Sequence, residues 1–214
     1  TGELYGVTEV AVHGTGIAMA PDASSGTFQV VEDGMAVTKL IDLASGLVVE
    51  TLPTGRVTLG TDGAIAYLRV EDTRALGEAR AQQARASGRE ARREAAVATA
   101  WEESKASTLV VRTSGGTGAV ELAGQAPVSM QFAPDAQVLY VLASPLLDPE
   151  NVTVHRVDEG GAVEAVDTSP GPKAGLMVAA GGRYIVYGTR AGLAVRDLVG
   201  GGISTFDGAV SPSV

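Results

Sequence analysis

The chain has 214 residues, 45% of them hydrophobic but only 4% aromatic, with 28 glycines, no cysteine and a formal net charge of −9. This length can bury a sizeable core within one domain, so disorder is not expected for most of the chain. The lack of cysteine excludes disulfides, thiolate metal sites and a cysteine nucleophile. An acidic surface repels phosphate backbones, so no nucleic-acid partner is expected. No apolar run reaches the roughly 20 residues of a membrane-spanning helix, so direct membrane insertion is not expected either.

Taken in chain order, the elements repeat. Thr1 in place of Met points to the removal of an upstream segment. Leu4–Val12 reads as one strand ahead of the first complete unit. That unit opens with Ile17-Ala-Met-Ala-Pro-Asp22, a short apolar strand and a turn, and continues with Thr27–Val31 and Val37–Gly46. The second unit opens at Val57–Asp62, followed by Ala64–Leu68 and, after a long interruption, Thr108–Thr113. The third opens at Met130–Asp135, with Val138–Leu142 and Val152–Gly161 behind it, and the fourth at Leu176–Gly181, with Arg183–Tyr187 and Leu193–Gly202. Starts separated by roughly 35–45 residues, allowing for the interruption, have the period of a four-stranded propeller blade. Ala209–Ser213 reads like the opening of a further unit.

The third strands alternate with period two, as strands with one buried face do, whereas Val138–Leu142 is almost continuously apolar and suits an inner strand. Two arrangements of the ends remain open. The terminal strands combine into a shared closing blade, or the units belong to a longer or partner-completed ring. The expected fold is therefore all-β, with about four four-stranded antiparallel blades in a single domain over 1–214. A β-sandwich of the same strands is the alternative.

The interruption at 73–105 differs in kind. Eleven alanines between Ala75 and Ala106, with many Arg, Glu and Gln and no Pro, predict helix. Asp72 or Thr73 can cap its start, and Arg74/Glu78 and Glu90/Arg93 are spaced for pairing. Ser87-Gly88 sits mid-way, and either turns a helical hairpin or lies within one continuous helix. Residues 71–105 carry seven basic and seven acidic groups, so the rest of the chain, with nine and eighteen, holds the whole charge deficit. Beyond alanine the apolar residues are Leu76, Val97 and Trp101, too few for membrane insertion. These three are the candidate partner-binding residues. Val97 and Trp101, four apart, share a face, and Trp101 is the only tryptophan in the chain.

Little else points to chemistry. His13 and His155 fall in different units, and no serine sits in a Gly-x-Ser-x-Gly elbow. Thr113–Gly118 lacks the Lys-Ser/Thr ending of a phosphate loop and reads as a turn. Asp22, Asp62 and Asp135 recur at turn positions, where an Asp bonds its own backbone. Facing a ring centre, they would instead suit a divalent cation such as calcium. Asn151-Val-Thr153 matches a glycosylation acceptor by composition alone.

Ala20-Pro-Asp22 and Ala133-Pro-Asp135 before strands, with Asp42-Leu-Ala-Ser-Gly46 and Asp197-Leu-Val-Gly-Gly201 after third strands, resemble the β-propeller repeat proteins of the lactonase-like and quinoprotein-like kind. Unit four departs from the pattern, with Ala180-Gly-Gly182 where Pro-Asp is expected, and the tryptophan motif of quinone-cofactor propellers is missing. The resemblance implies the architecture and an extracytoplasmic, periplasmic or secreted, location. It leaves function open, since propellers host enzymes, receptors and scaffolds. Together with the residues it leads to the expectation of a non-catalytic binding or scaffolding module. Such a module would be an accessory subunit with protein partners or self-association, and without a cofactor. The alternative is a lactonase-type, metal-dependent hydrolase with the insertion as a lid.

Overall fold

The computed structural model describes residues 17–32, 35–52, 56–122, 124–145, 148, 150–179 and 181–208. The expected strands at Leu4–Val12 and Ala209–Ser213, and His13, lie outside these residues.

The described chain forms four consecutive meanders, each a four-stranded antiparallel sheet. The first contains β1 (Ala18–Met19), β2 (Ser25–Glu32), β3 (Met35–Asp42) and β4 (Leu47–Leu52). The second contains β5 (Val57–Leu59), β6 (Ile65–Val70), β7 (Ser107–Thr113) and β8 (Gly116–Val120). The third contains β9 (Gln125–Phe132), β10 (Leu139–Pro145), β11 (Thr153–Val157) and β12 (Val163–Asp167). The fourth contains β13 (Ala174–Ala179), β14 (Tyr184–Thr189), β15 (Gly192–Asp197) and β16 (Ile203–Asp207). Four separate sheets in sequence are blades of a propeller-like array and exclude the two-layer sandwich, whose strands would share two sheets.

The blades stack through their opening strands. β1 and β2 meet β5, β5 meets β9, and β9 and β10 meet β13. Three apolar layers follow. Leu40 and Leu52 of the first sheet pack with Leu59 and Ile65 of the second. Leu68, Leu109 and Val111 of the second pack with Phe132, Leu139, Val141 and Val157 of the third. Tyr140, Leu142 and Val154 of the third pack with Leu176, Val178, Ile185 and Tyr187 of the fourth. Aliphatic residues fill these layers, as the scarcity of aromatics requires. β10 is buried from Leu139 to Ser144 because both of its faces meet a neighbouring sheet. Where a ring does enter, the backbone makes room: a Cβ on Gly60 would lie 2.8 Å from Cγ of Phe132.

Between β6 and β7 the helical insertion is a hairpin of α1 (Arg74–Arg85) and α2 (Arg89–Lys105). Thr73 caps α1, its Oγ1 accepting the Leu76 N–H at 3.2 Å. The chain turns at Gly88, where φ is +86°, a value that side chains rarely adopt. This settles the two readings of Ser87-Gly88 in favour of the hairpin. The Glu71 N–H donates to the Ala106 carbonyl at 2.8 Å, so the two ends of the insertion meet at its root.

Candidate functional site

The insertion is attached on one side and open on the other. Leu76 is fully buried, and Ala95 and Thr99 are the buried positions of α2, which lies against β9. An ion pair from Arg80 to Glu103 (2.9 Å) crosses between the helices, and one from Arg74 to Glu78 (2.7 Å) runs along α1. The hydroxyl of Ser107 donates to the Glu103 carbonyl at 2.6 Å, tying the end of α2 to β7.

On the opposite side of α2, Val97 and Trp101 line an apolar hollow of about 500 Å³ together with Ala98, and with Glu90, Arg93 and Glu94 at its rim. Val97 is 56% exposed, high for a β-branched aliphatic side chain. Trp101 is half-buried, and the Lys105 ammonium stands 5.2 Å from its ring centroid. Of the three residues singled out in the sequence, two therefore share one accessible surface. Leu76 does not: it is fully buried and has no surface to offer a partner.

A second concavity, of about 410 Å³, opens between the first and second sheets with β9 behind it. Thr27, Gln29 and Thr38 line it from the first sheet, and Ser129 and Met130 from β9. At its side Nη1 of Arg56 donates to the Pro127 carbonyl at 3.4 Å. The short β5, three residues long, leaves this gap. Its described lining offers hydroxyls, an amide and one guanidinium, groups that hold a ligand and do not shuttle protons.

Of the repeated turn carboxylates, Asp22 ties its blade to the next. Asp22 accepts the Ser24 N–H (3.0 Å) and hydroxyl (2.7 Å), and its other oxygen accepts the Asp62 N–H (2.9 Å) of the next blade. These hydrogen bonds hold its carboxyl below the usual range, the Ser24 hydroxyl contributing most. The Asp135 carboxylate lies beside the turn of the following blade, where a Cβ on Gly181 would stand 2.9 Å from its Oδ2. Among the described residues no three His, Cys, Asp or Glu side chains gather as a metal site requires.

The structure adds a buried ionic cluster that no spacing in the chain announces. Asp167, fully enclosed, accepts the Tyr187 hydroxyl and both the N–H (2.9 Å) and hydroxyl (2.6 Å) of Ser169. Lys173, also buried, donates to the carbonyls of Val152 and Ser169, each at 2.5 Å. Burial would raise the Asp167 carboxyl, but the Ser169 and Tyr187 hydrogen bonds, with Lys173, hold it below its ordinary value. Tyr187 is pushed up by burial and by that carboxylate, and Lys173 is pulled down by burial. His155 is buried too. Its Nε2 lies 2.7 Å from Oε1 of Gln125, its Nδ1 has no partner among the described residues, and burial lowers its pKa. These groups are spoken for by the packing of the third and fourth blades.

No family model matches the chain, and no curated protein matches it. Solved structures do. A putative TolB from Agrobacterium tumefaciens superposes over 93% of this chain and 67% of its own, with a TM-score of 0.60 and 15% identity. TolB from Acinetobacter baumannii matches 90% of this chain and 43% of its own, with a TM-score of 0.52 and 13% identity. The β-propeller domain of Cps50 (Swd1) from Myceliophteria thermophila matches 92% and 56%, with a TM-score of 0.52 and 10% identity. Identities this low establish the fold alone, and the fold is that of propeller blades. The chain spans 36%, 43% and 67% of three of the matched structures.

Proposed function

We propose that this chain is a non-catalytic binding module, an accessory subunit whose stacked blades form a rigid platform and whose helical hairpin docks a protein partner within a larger assembly. The observation that carries this reading is the open apolar face of α2. Val97 and Trp101 form an aromatic-aliphatic pair rimmed by charges, on an element that adds nothing to the three blade layers. Leu76, buried within α1, supports the fold of the hairpin and does not itself meet the partner.

Because Glu71 and Ala106 already meet, residues 74–105 can be replaced by a two-glycine link without parting β6 from β7. The shortened protein is expected to keep its strand circular-dichroism spectrum and cooperative melting while losing its partner. Val97→Asp with Trp101→Ala is expected to give the same loss with the hairpin intact. Unchanged co-purification of the same companion by both variants would sink the reading.

We further place the protein outside the cytoplasm, as the resemblance to secreted and periplasmic propeller repeats suggests. Fractionation of the source cells tests this, and recovery with cytoplasmic markers contradicts it.

A further inference from the structure

The apolar layer between the third and fourth sheets gives way to arginine at the C-terminal ends of β11 and β15. Val154 of β11 and Ala194 of β15 belong to that layer. Two residues further along each strand stand Arg156 and Arg196, which alternation turns into the same boundary. Tyr140, also of the layer, pairs with Arg156 and Arg156 with Glu164, while Arg196 pairs with Ile185. Both guanidiniums line a cleft of about 540 Å³ between the two blades. Gly182 and Gly201, at φ +74° and +71°, line it from turns and bring no side chains to fill it.

A guanidinium presents its N–H donors as a planar fork, and among the described residues neither fork meets a carboxylate at hydrogen-bond distance. The nearest carboxylate oxygens are Oε2 of Glu164, 3.8 Å from Nη1 of Arg156, and Oδ2 of Asp167, 3.6 Å from Nη1 of Arg196. Asp167 is already engaged by Tyr187 and Ser169. Arg156 also interacts with the Tyr140 hydroxyl, which itself donates to the Gly182 carbonyl at 3.2 Å. Asp197, in the same lining, is taken: it accepts Arg183 at 2.9 Å and the N–H groups of Val199 and Gly200, each at 3.0 Å. The side chains of Arg156 and Arg196 are 37% and 24% exposed, so solvent reaches both while most of each is withdrawn from it.

We infer that this cleft binds the carboxylate of a small, singly charged apolar acid, held by Arg156 and Arg196 with its body against Val138, Val166 and Leu198. The planar fork matches a carboxylate with two parallel hydrogen bonds, which a point charge does not. The three aliphatic side chains line the same cleft and offer a hydrocarbon body the apolar wall that ligand sites have. A multiply charged anion fits less well, because Glu164 stands exposed in the lining and Asp135 lies beside Gly181 at its edge. The cleft belongs to the third and fourth blades and the hairpin to the second, so this site is independent of the partner contact.

The test is fluorine NMR of para-fluorobenzoate titrated with the whole protein. The parent is expected to broaden and shift the probe signal, and the uncharged para-fluorobenzamide is expected not to respond. Arg156→Gln is expected to weaken binding about tenfold or more. Arg196→Lys, which keeps a charge beside Asp167 while removing the fork, is expected to do the same. Arg190→Gln takes the same charge from the turn at the opposite end of the fourth blade and is expected to leave binding unchanged. Circular dichroism checks that each variant is folded. Arg156 has only a loose pair with an exposed Glu164 to lose, so its variant decides the matter even should Arg196→Lys unfold. A parent that leaves the probe signal unchanged, an amide that binds as well as the acid, or full binding by Arg156→Gln overturns the inference. Inorganic phosphate that displaces the probe as well as unlabelled benzoate does would overturn the assignment to a monocarboxylate.

Discussion

The blades and the hairpin hold their shape by different means. Between blades, large side chains interlock across layers: Phe132 against the backbone of Gly60, and Ile185 and Tyr187 against Leu142 and Val154. In the hairpin, Leu76 is the buried residue of α1, and Ala95 and Thr99 those of α2. Its order comes from alanine-rich helix propensity, the Thr73 cap, ion pairs and the Gly88 turn. Interlocked layers make the body intolerant of change. The open face of the hairpin has little packing to lose, so it is free to carry residues chosen for contact.

Substitutions sharpen this contrast. Phe132→Ala removes a ring from the middle layer and is expected to cost about 3–5 kcal/mol, read as a lowered urea midpoint of the whole protein. Tyr187→Phe deprives the buried Asp167 of a donor and is expected to cost about 1–3 kcal/mol. Because hydrogen bonds hold the Asp167 carboxyl low, its stabilisation is present above the ordinary carboxylate range and is lost as pH falls below it. The acid transition of Tyr187→Phe is therefore expected at higher pH than that of the parent. Gly88→Ala forces a side chain into φ +86° and is expected to cost about 1–2 kcal/mol. That loss should fall on the hairpin, seen as faster hydrogen exchange in α1 and α2 with the sheets unchanged.

His155 gives a pH signature confined to the body. Burial lowers its pKa, so below about pH 6.5 the unfolded chain binds a proton that the folded one resists, and stability falls as pH drops. The slope is at most about 1.4 kcal/mol per pH unit. His155→Gln should flatten it just below about pH 6.5, and a slope that persists would mean that His155 is not its source. The smallest effect is expected at Arg74→Ala, about 0.3–0.5 kcal/mol, because its pair with Glu78 is exposed.

The sequence made the blades legible because their signals are local. Val138–Leu142 announced an inner strand by continuous apolarity, and Ala-Pro-Asp turns marked two blade openings. The alanine run at 73–105 marked helix, and Thr73 was one of two caps offered. What stayed hidden depends on residues distant in sequence. Asp167, Ser169, Lys173 and Tyr187 carry no shared spacing, and only the stacking of the third and fourth blades brings them together. The separation of Leu76 from Val97 and Trp101 was hidden for a similar reason: helical spacing relates residues within one helix, not across a hairpin. The cleft beside Arg56 arises from a short strand, which composition does not reveal.

The most direct test of the docking account is the native mass of the protein purified from its own cells, compared with that of Val97→Asp/Trp101→Ala. The account predicts that the parent carries a companion in fixed proportion and that the variant, equally folded, has lost it. An identical companion on both proteins, or none on the parent, would contradict it.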